Sequence, residues 1–280
     1  MSQVTKIEYN GLELGDVDSG YGISQIKGFA APTASTSEQQ KTENHGSNIF
    51  AQKYNSRVMG FKIEVMGVTV TEYLERAREF IRKFKINVDD YLIITMWNGD
   101  IRKIKARVTE TPDAVYDPEN VSMNTFKMEL TAPNPFFLSN VTKTYSAALP
   151  IKGGFPIPAP VPFPLGAPSG GNFTIVNDGD EDSFAEFYIY GAAQNPTVLN
   201  TATGESFQIQ NTIPEGSYVH IFRDQQGVFV YLNDTTNWRR FLKGDLFEIV
   251  QGNNLIKWNA TVYEASALLE ARFNDAYLSP

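Results

Sequence analysis

Between Pro150 and Gly171 the chain carries prolines at 150, 156, 158, 160, 162, 164 and 168, alternating with apolar residues and flanked by Gly153-Gly154 and Gly170-Gly171. Such a stretch is a linker, semi-rigid in the middle and flexible at its ends. Extended at ~3.1 Å per residue it spans about 60 Å, enough to clear a small domain. The same residues admit a rival reading as a Pro-x-x-Pro ligand, but no basic residue stands beside the prolines between Phe155 and Ser169. The linker divides the chain into residues 1–149 and 172–280. That agrees with a soft prior of one domain per ~150 residues, each half being large enough for its own core.

Composition narrows what these halves can be. The 19 Phe and 13 Tyr lean toward β structure. There is no cysteine, so packing or assembly with other copies must supply what disulfides do elsewhere. A formal net charge of -8 disfavours nonspecific attraction to nucleic acid and to anionic membranes. The polar start Met1-Ser-Gln-Val-Thr-Lys is no signal segment, and no apolar run approaches the ~20 residues of a membrane span. The expectation is a soluble protein made in a cytoplasm.

In the first half, Phe61-Lys-Ile63-Glu-Val65 alternates like a half-buried strand and Tyr91-Leu-Ile-Ile-Thr95 reads as a fully buried one, with further strands at 101–108 and 124–130. One helix, about 70–86, places Val70, Tyr73, Leu74, Ala77, Phe80, Ile81 and Phe84 on its apolar face, with Thr69 and Glu72 spaced for a capping box. Arg76, Arg78, Glu79, Arg82 and Lys83 fall on the outer face, where a solvated surface is a plainer reading than a phosphate site. Residues Pro32 to Ser56 are polar and read as a long loop, functional or disordered. His45 within it has no second ligand at metal spacing and reads as an exposed loop residue.

The second half alternates in short strands separated by turns such as Asn177-Asp178-Gly179, Asp224-Gln-Gln-Gly227 and Gly252-Asn253, the pattern of a sandwich. Its most distinctive run is Gly191 to Glu205: Asn195-Pro196 opens a turn, Val198 and Leu199 make a short strand, and Thr203-Gly204 closes with Gly204 free to take a positive φ. Ser266 to Ala271 reads either as a helical turn or as the start of the last strand.

Candidate chemistry is sparse. Trp238, Arg239 and Arg240 together form a candidate sugar-stacking platform, whereas Trp258 alternates with Ile256 and reads as core. Asp178, Asp180 and Asp182 are spaced like calcium ligands, but the glutamate of a twelve-residue loop is missing and a solvated turn explains them. With two histidines, no Gly-x-Ser-x-Gly elbow, no His-Glu-x-x-His helix and no phosphate loop, an enzyme is not expected, nor a cofactor or metal.

Together, Ile175-Val-Asn177-Asp-Gly179, Tyr188 to Gly191, Asn195-Pro196, Asn200, Thr203-Gly204-Glu205, Gly252-Asn253-Asn254-Leu-Ile256-Lys-Trp258 and Arg272-Phe273 to Tyr277 make the second half resemble the C-terminal domain of distal tail proteins of long, non-contractile-tailed bacteriophages. In the first half the support is the feature order, ending in Leu130-Thr-Ala132-Pro133-Asn134-Pro135-Phe136-Phe137, which looks like that family's strand-end signature. Phe184-Ala185-Glu186 stands where members often carry a proline.

The resemblance implies a mainly β protein: an N-terminal β-sandwich-like domain with one helix, joined by the Pro-rich linker to a C-terminal galectin-like β-sandwich. It implies a structural virion protein at the tail tip, made in the bacterial host cytoplasm and assembled as a homo-hexameric ring. Its partners would be the tail-tube protein on one side and tail-tip or receptor-binding proteins on the other. DNA would pass the ring without specific binding, and no membrane is involved. Two alternatives stand beside it, a carbohydrate-binding module for host attachment and a tail-tube protein. Ring contacts are expected on strand edges of the N-terminal domain and on the Pro32 to Ser56 segment.

Overall fold

Among the described residues most elements are strands, and side chains alternate between core and solvent wherever one face is covered, so the architecture is mainly β. The computed structural model describes residues 4–15, 19–42, 44–115, 120–150, 171–224 and 226–280. The linker expected at 150–171 thus lies outside the described residues apart from its two end residues. Two compact units are present, Met1–Asn140 with Ala276–Pro280, and Val141–Asp275.

The first unit contains β1 (Val4–Tyr9), β2 (Leu12–Leu14), β3 (Tyr21–Lys27), β4 (Ala34–Gln40), β5 (Ser47–Tyr54), β6 (Arg57–Met66), α1 (Val70–Lys83), β7 (Asp89–Met96), β8 (Ile101–Val115), β9 (Met123–Ala132) and β10 (Phe137–Ser139). Its main sheet is antiparallel in the order β2-β1-β7-β8-β9-β6-β3, and β10 pairs both with β8 and with the short strand Ala276–Tyr277. Alternation is clean where one face meets the core: β6 buries Met59, Phe61, Ile63 and Val65, and β9 buries Phe126, Met128 and Leu130. β7 departs from the fully buried reading. It buries Leu92, Ile94 and Met96 while Tyr91 stays exposed, because only one face of the sheet is covered.

Helix α1 begins where expected. The Thr69 hydroxyl accepts from the Glu72 amide at 3.2 Å, and the Glu72 carboxylate accepts from the Val68 amide at 2.8 Å, one residue earlier than an ideal capping box. It ends at Lys83, three residues short of the expected bound, with Arg82 and Lys83 in the last turn where the helix dipole favours cations. Tyr73, Ala77, Phe80 and Phe84 enter the core. Phe80 meets Phe126 at 5.4 Å and Phe84 stacks on Tyr9 at 5.2 Å. Val70, Leu74 and Ile81 stay about half exposed, since the apolar stripe is wider than the sheet that covers it.

In the second unit, a six-stranded sheet runs Lys143–Ala148, Leu268–Phe273, Glu186–Tyr190, Tyr218–Asp224, Gly227–Leu232, Thr236–Asn237. A five-stranded sheet runs Asn172–Asn177, Gly252–Asn259, Thr197–Asn200, Ser206–Ile209, Leu242–Gly244. Both contribute to one core, where Phe187, Phe207 and Phe247 meet ring to ring at 5.4 to 5.6 Å. Strand Lys143–Ala148 precedes the proline-rich stretch yet pairs along its whole length with Leu268–Phe273. The ambiguous Ser266 to Ala271 segment resolves as the start of that last strand.

Candidate assembly interface

Segment 32–56, read from sequence as a loop, is a two-stranded hairpin in which β4 pairs with β5 from Ala34↔Tyr54 to Gln40↔Ser47. Strand alternation is hidden there because neither face is buried, so no face selects apolar residues. An isolated two-stranded ribbon is at best marginally stable in water. This one also presents Ile49 at 61% and Phe50 at 66% exposure, with Val58 just beyond it at 49%.

At its base the hairpin is anchored through one buried side chain. Arg57, the first residue of β6, is 2% exposed and lies over the Phe137 ring at 4.5 Å. Its Nε donates to the Pro135 carbonyl at 2.6 Å, Nη1 to those of Gly28 (2.7 Å) and Ala30, and Nη2 to that of Leu278 at 2.7 Å. One planar fork thus ties the chain entering the hairpin, the β9–β10 turn and the C-terminal segment. Burial lowers the guanidinium pKa to about 10, still well above neutrality. Phe29 packs edge-on against Phe61 at 5.9 Å and Phe137 at 5.7 Å, and Tyr54 against Phe136 at 5.6 Å. Nothing in the sequence marked Arg57, because a charged residue at a strand start is ordinary until its burial is seen.

The other residues singled out from sequence separate into structural roles. Trp238 is 8% exposed, belongs to the core of the second unit and meets Phe241 edge-on at 5.2 Å. The sugar-stacking platform is therefore corrected: Trp238 offers no free ring face, although Arg239 and Arg240 beside it are exposed. Trp258 is core and donates from Nε1 to the Ala147 carbonyl at 2.9 Å. In the acidic turn, Asp178 pairs with Lys143 at 2.7 Å and Asp182 accepts from the Gln251 amide, so these carboxylates diverge. Among the described residues no three His, Asp or Glu side chains converge as a metal set. His45 is exposed near the hairpin tip. On α1, Arg76 pairs with Glu72 at 2.8 Å and Lys83 donates to the Asn10 carbonyl at 2.9 Å, so part of the basic cluster serves local structure.

The asparagines of the distinctive motifs are turn clamps. Asn254, fully buried, donates to the Val250 and Gly252 carbonyls at 2.6 and 3.1 Å, and its side-chain oxygen accepts from the Val250 amide and from Asn200 Nδ2 at 3.0 Å. Asn200 caps its own turn by accepting from the Ala202 amide, and Asn177 donates to the Glu181 and Ile249 carbonyls. Asn195 and Gly204 take φ of +48° and +76°, as the turn chemistry of the Gly191 to Glu205 run requires.

No protein-family model matches the chain, and no curated protein matches it in sequence. Solved structures do. The SPP1 Dit protein, a paradigm of the hub adsorption apparatus in phages infecting Gram-positive bacteria, superposes with a TM-score of 0.68 at 10% identity over 97% of this chain and 98% of its own. The phage P2 baseplate in its activated conformation matches at TM-scores of 0.53 with calcium and 0.51 with strontium, at 10% and 11% identity, covering 98% of both chains in each case. Along nearly its whole length, this chain is similar in fold to the Dit hub and baseplate proteins of phage tails.

Proposed function

We propose that this protein is a structural component of a phage tail tip, a distal tail protein without enzymatic activity, in which six copies form a ring joining the tail tube to tip or receptor-binding proteins. The observation that carries the proposal is the end-to-end fold match to hub and baseplate proteins, which includes both units in one chain. The hairpin supports the ring: it is solvent-exposed on both faces, carries Ile49 and Phe50, and is anchored at its root by Arg57, so a neighbouring copy is a natural acceptor. The galectin-like identity of the second unit and the spacer role of the proline-rich linker belong to the same reading. A tail-tube protein would share ring assembly but would stack into tubes.

Light scattering on the full chain and on a variant lacking Thr33 to Gln52 tests the ring. The full chain is expected at six times the 31.3 kDa chain mass. The deletion is expected to lower the mass while retaining the β circular-dichroism signal. A hexamer unaffected by the deletion would remove the hairpin from the interface, and an extended tube would favour the tube protein.

A further inference from the structure

Strand Tyr218–Asp224 turns Val219 and Ile221 into the core and sends His220 to the opposite face of the six-stranded sheet. There His220 lies opposite Tyr188, the rings stacked at 4.1 Å and 12°, with Phe222 at 4.6 Å on its own strand and Tyr231 opposite on the next. Its Nδ1 lies 2.8 Å from Asp234 Oδ1, while its Nε2, buried and without a hydrogen-bond partner among the described residues, lies at an ion-pair distance of 3.5 Å from Glu186 Oε2. A neutral imidazole carries one proton and can serve only one of these carboxylates. The other would then face a buried lone pair. Only the imidazolium serves both.

We infer that Glu186, His220 and Asp234 form a protonation-dependent clamp that fastens the 233–235 turn to the sheet. Asn233 and Asp234 both have left-handed backbone, φ +49° and +53°. The turn is also held where Asn233 and Tyr218 exchange backbone and side-chain hydrogen bonds and where the Tyr218 hydroxyl donates to Asp234 Oδ2 at 2.7 Å. The remaining charged neighbours are Arg272, 4.3 Å over the Tyr188 ring, and Glu270, which Arg272 engages at 2.7 Å. Tyr188 keeps its proton, its pKa raised to about 12 chiefly by burial, and Tyr218 is likewise raised by its hydrogen bond to Asp234.

Burial lowers the proton affinity of His220, but the carboxylates of Glu186 and Asp234 outweigh it and its pKa is raised above 6.5. The clamp's contribution is therefore complete below the unfolded histidine value and lost as pH rises through the folded one. Glu186 is lowered first by the neighbouring His220 imidazole, and Asp234 first by its hydrogen bond from Tyr218. At the acid end the contribution is thus present above the ordinary carboxylate values and lost as pH falls through the depressed ones.

Nuclear magnetic resonance titration of the full chain tests this, with His45→Gln leaving a single imidazole. The His220 midpoint is expected above 6.5, to fall by roughly half a pH unit or more in Glu186→Gln and in Asp234→Asn, and to be shared by the amide signals of Asn233, Asp234 and Thr235. In His220→Gln those signals should hold their high-pH positions throughout. A midpoint unmoved in both carboxylate variants, or turn signals that do not follow it, would overturn the clamp.

Discussion

Arg57 is the residue on which the hairpin's placement most depends, and Arg57→Met is the sharpest perturbation of it. Methionine fills much of the volume but donates nothing, so the carbonyls of Gly28, Ala30, Pro135 and Leu278 lose a partner together. Only the Pro135 bond is fully buried, at about 2 kcal/mol, while the three part-buried carbonyls cost about 1 kcal/mol each. The guanidinium pKa near 10 sets the relief of the buried charge at about 3 kcal/mol. The net destabilisation of the first unit is about 2 kcal/mol. With a urea slope of about 2 kcal/mol per molar, the midpoint of its unfolding transition falls by about 1 M. Arg57→Lys keeps the charge but not the planar fork, and should lose about half as much. Urea denaturation followed by circular dichroism measures both. Midpoints for Arg57→Met and Arg57→Lys that coincide with the parent would refute the claim that this fork holds the hairpin root together.

Two other substitutions test the turn chemistry of the second unit. Asn254→Ala strips the Val250 and Gly252 carbonyls, the Val250 amide and Asn200 of a shared partner, and should cost about 3 kcal/mol in thermal unfolding. Gly191→Ala would set a methyl 2.1 Å from the Pro214 carbonyl oxygen and 2.7 Å from that of Ile213. Both are backbone atoms that cannot step aside, so a loss of about 2–3 kcal/mol is expected in the same assay, and a neutral result would show that this turn relaxes freely.

How much could be read from the chain depended on whether a local pattern had a single physical cause. Helix α1 was legible because its apolar spacing, Thr69 and Glu72 all point the same way. Strands β6 and β9, though not their pairing, were legible because one covered face imposes alternation. The hairpin was not, since a ribbon exposed on both sides has no such pattern to show. Trp238 misled because a tryptophan between polar residues reads alike whether its ring faces water or Phe241. His220 and Arg57 gave no signal at all: their hydrogen-bond partners lie from 14 to 221 residues away, and only the fold brings them together. The motif asparagines were legible as turn formers, but not their burial, which makes each turn a clamp on the next.

The central claim is a position, the free end of a phage tail. Immunogold electron microscopy of intact particles carrying this chain, with an antibody raised against residues 172–280, tests it most directly. A single cluster of label at the tip of each tail is the expected result. Label distributed along the tail shaft, or confined to the head, would contradict the account.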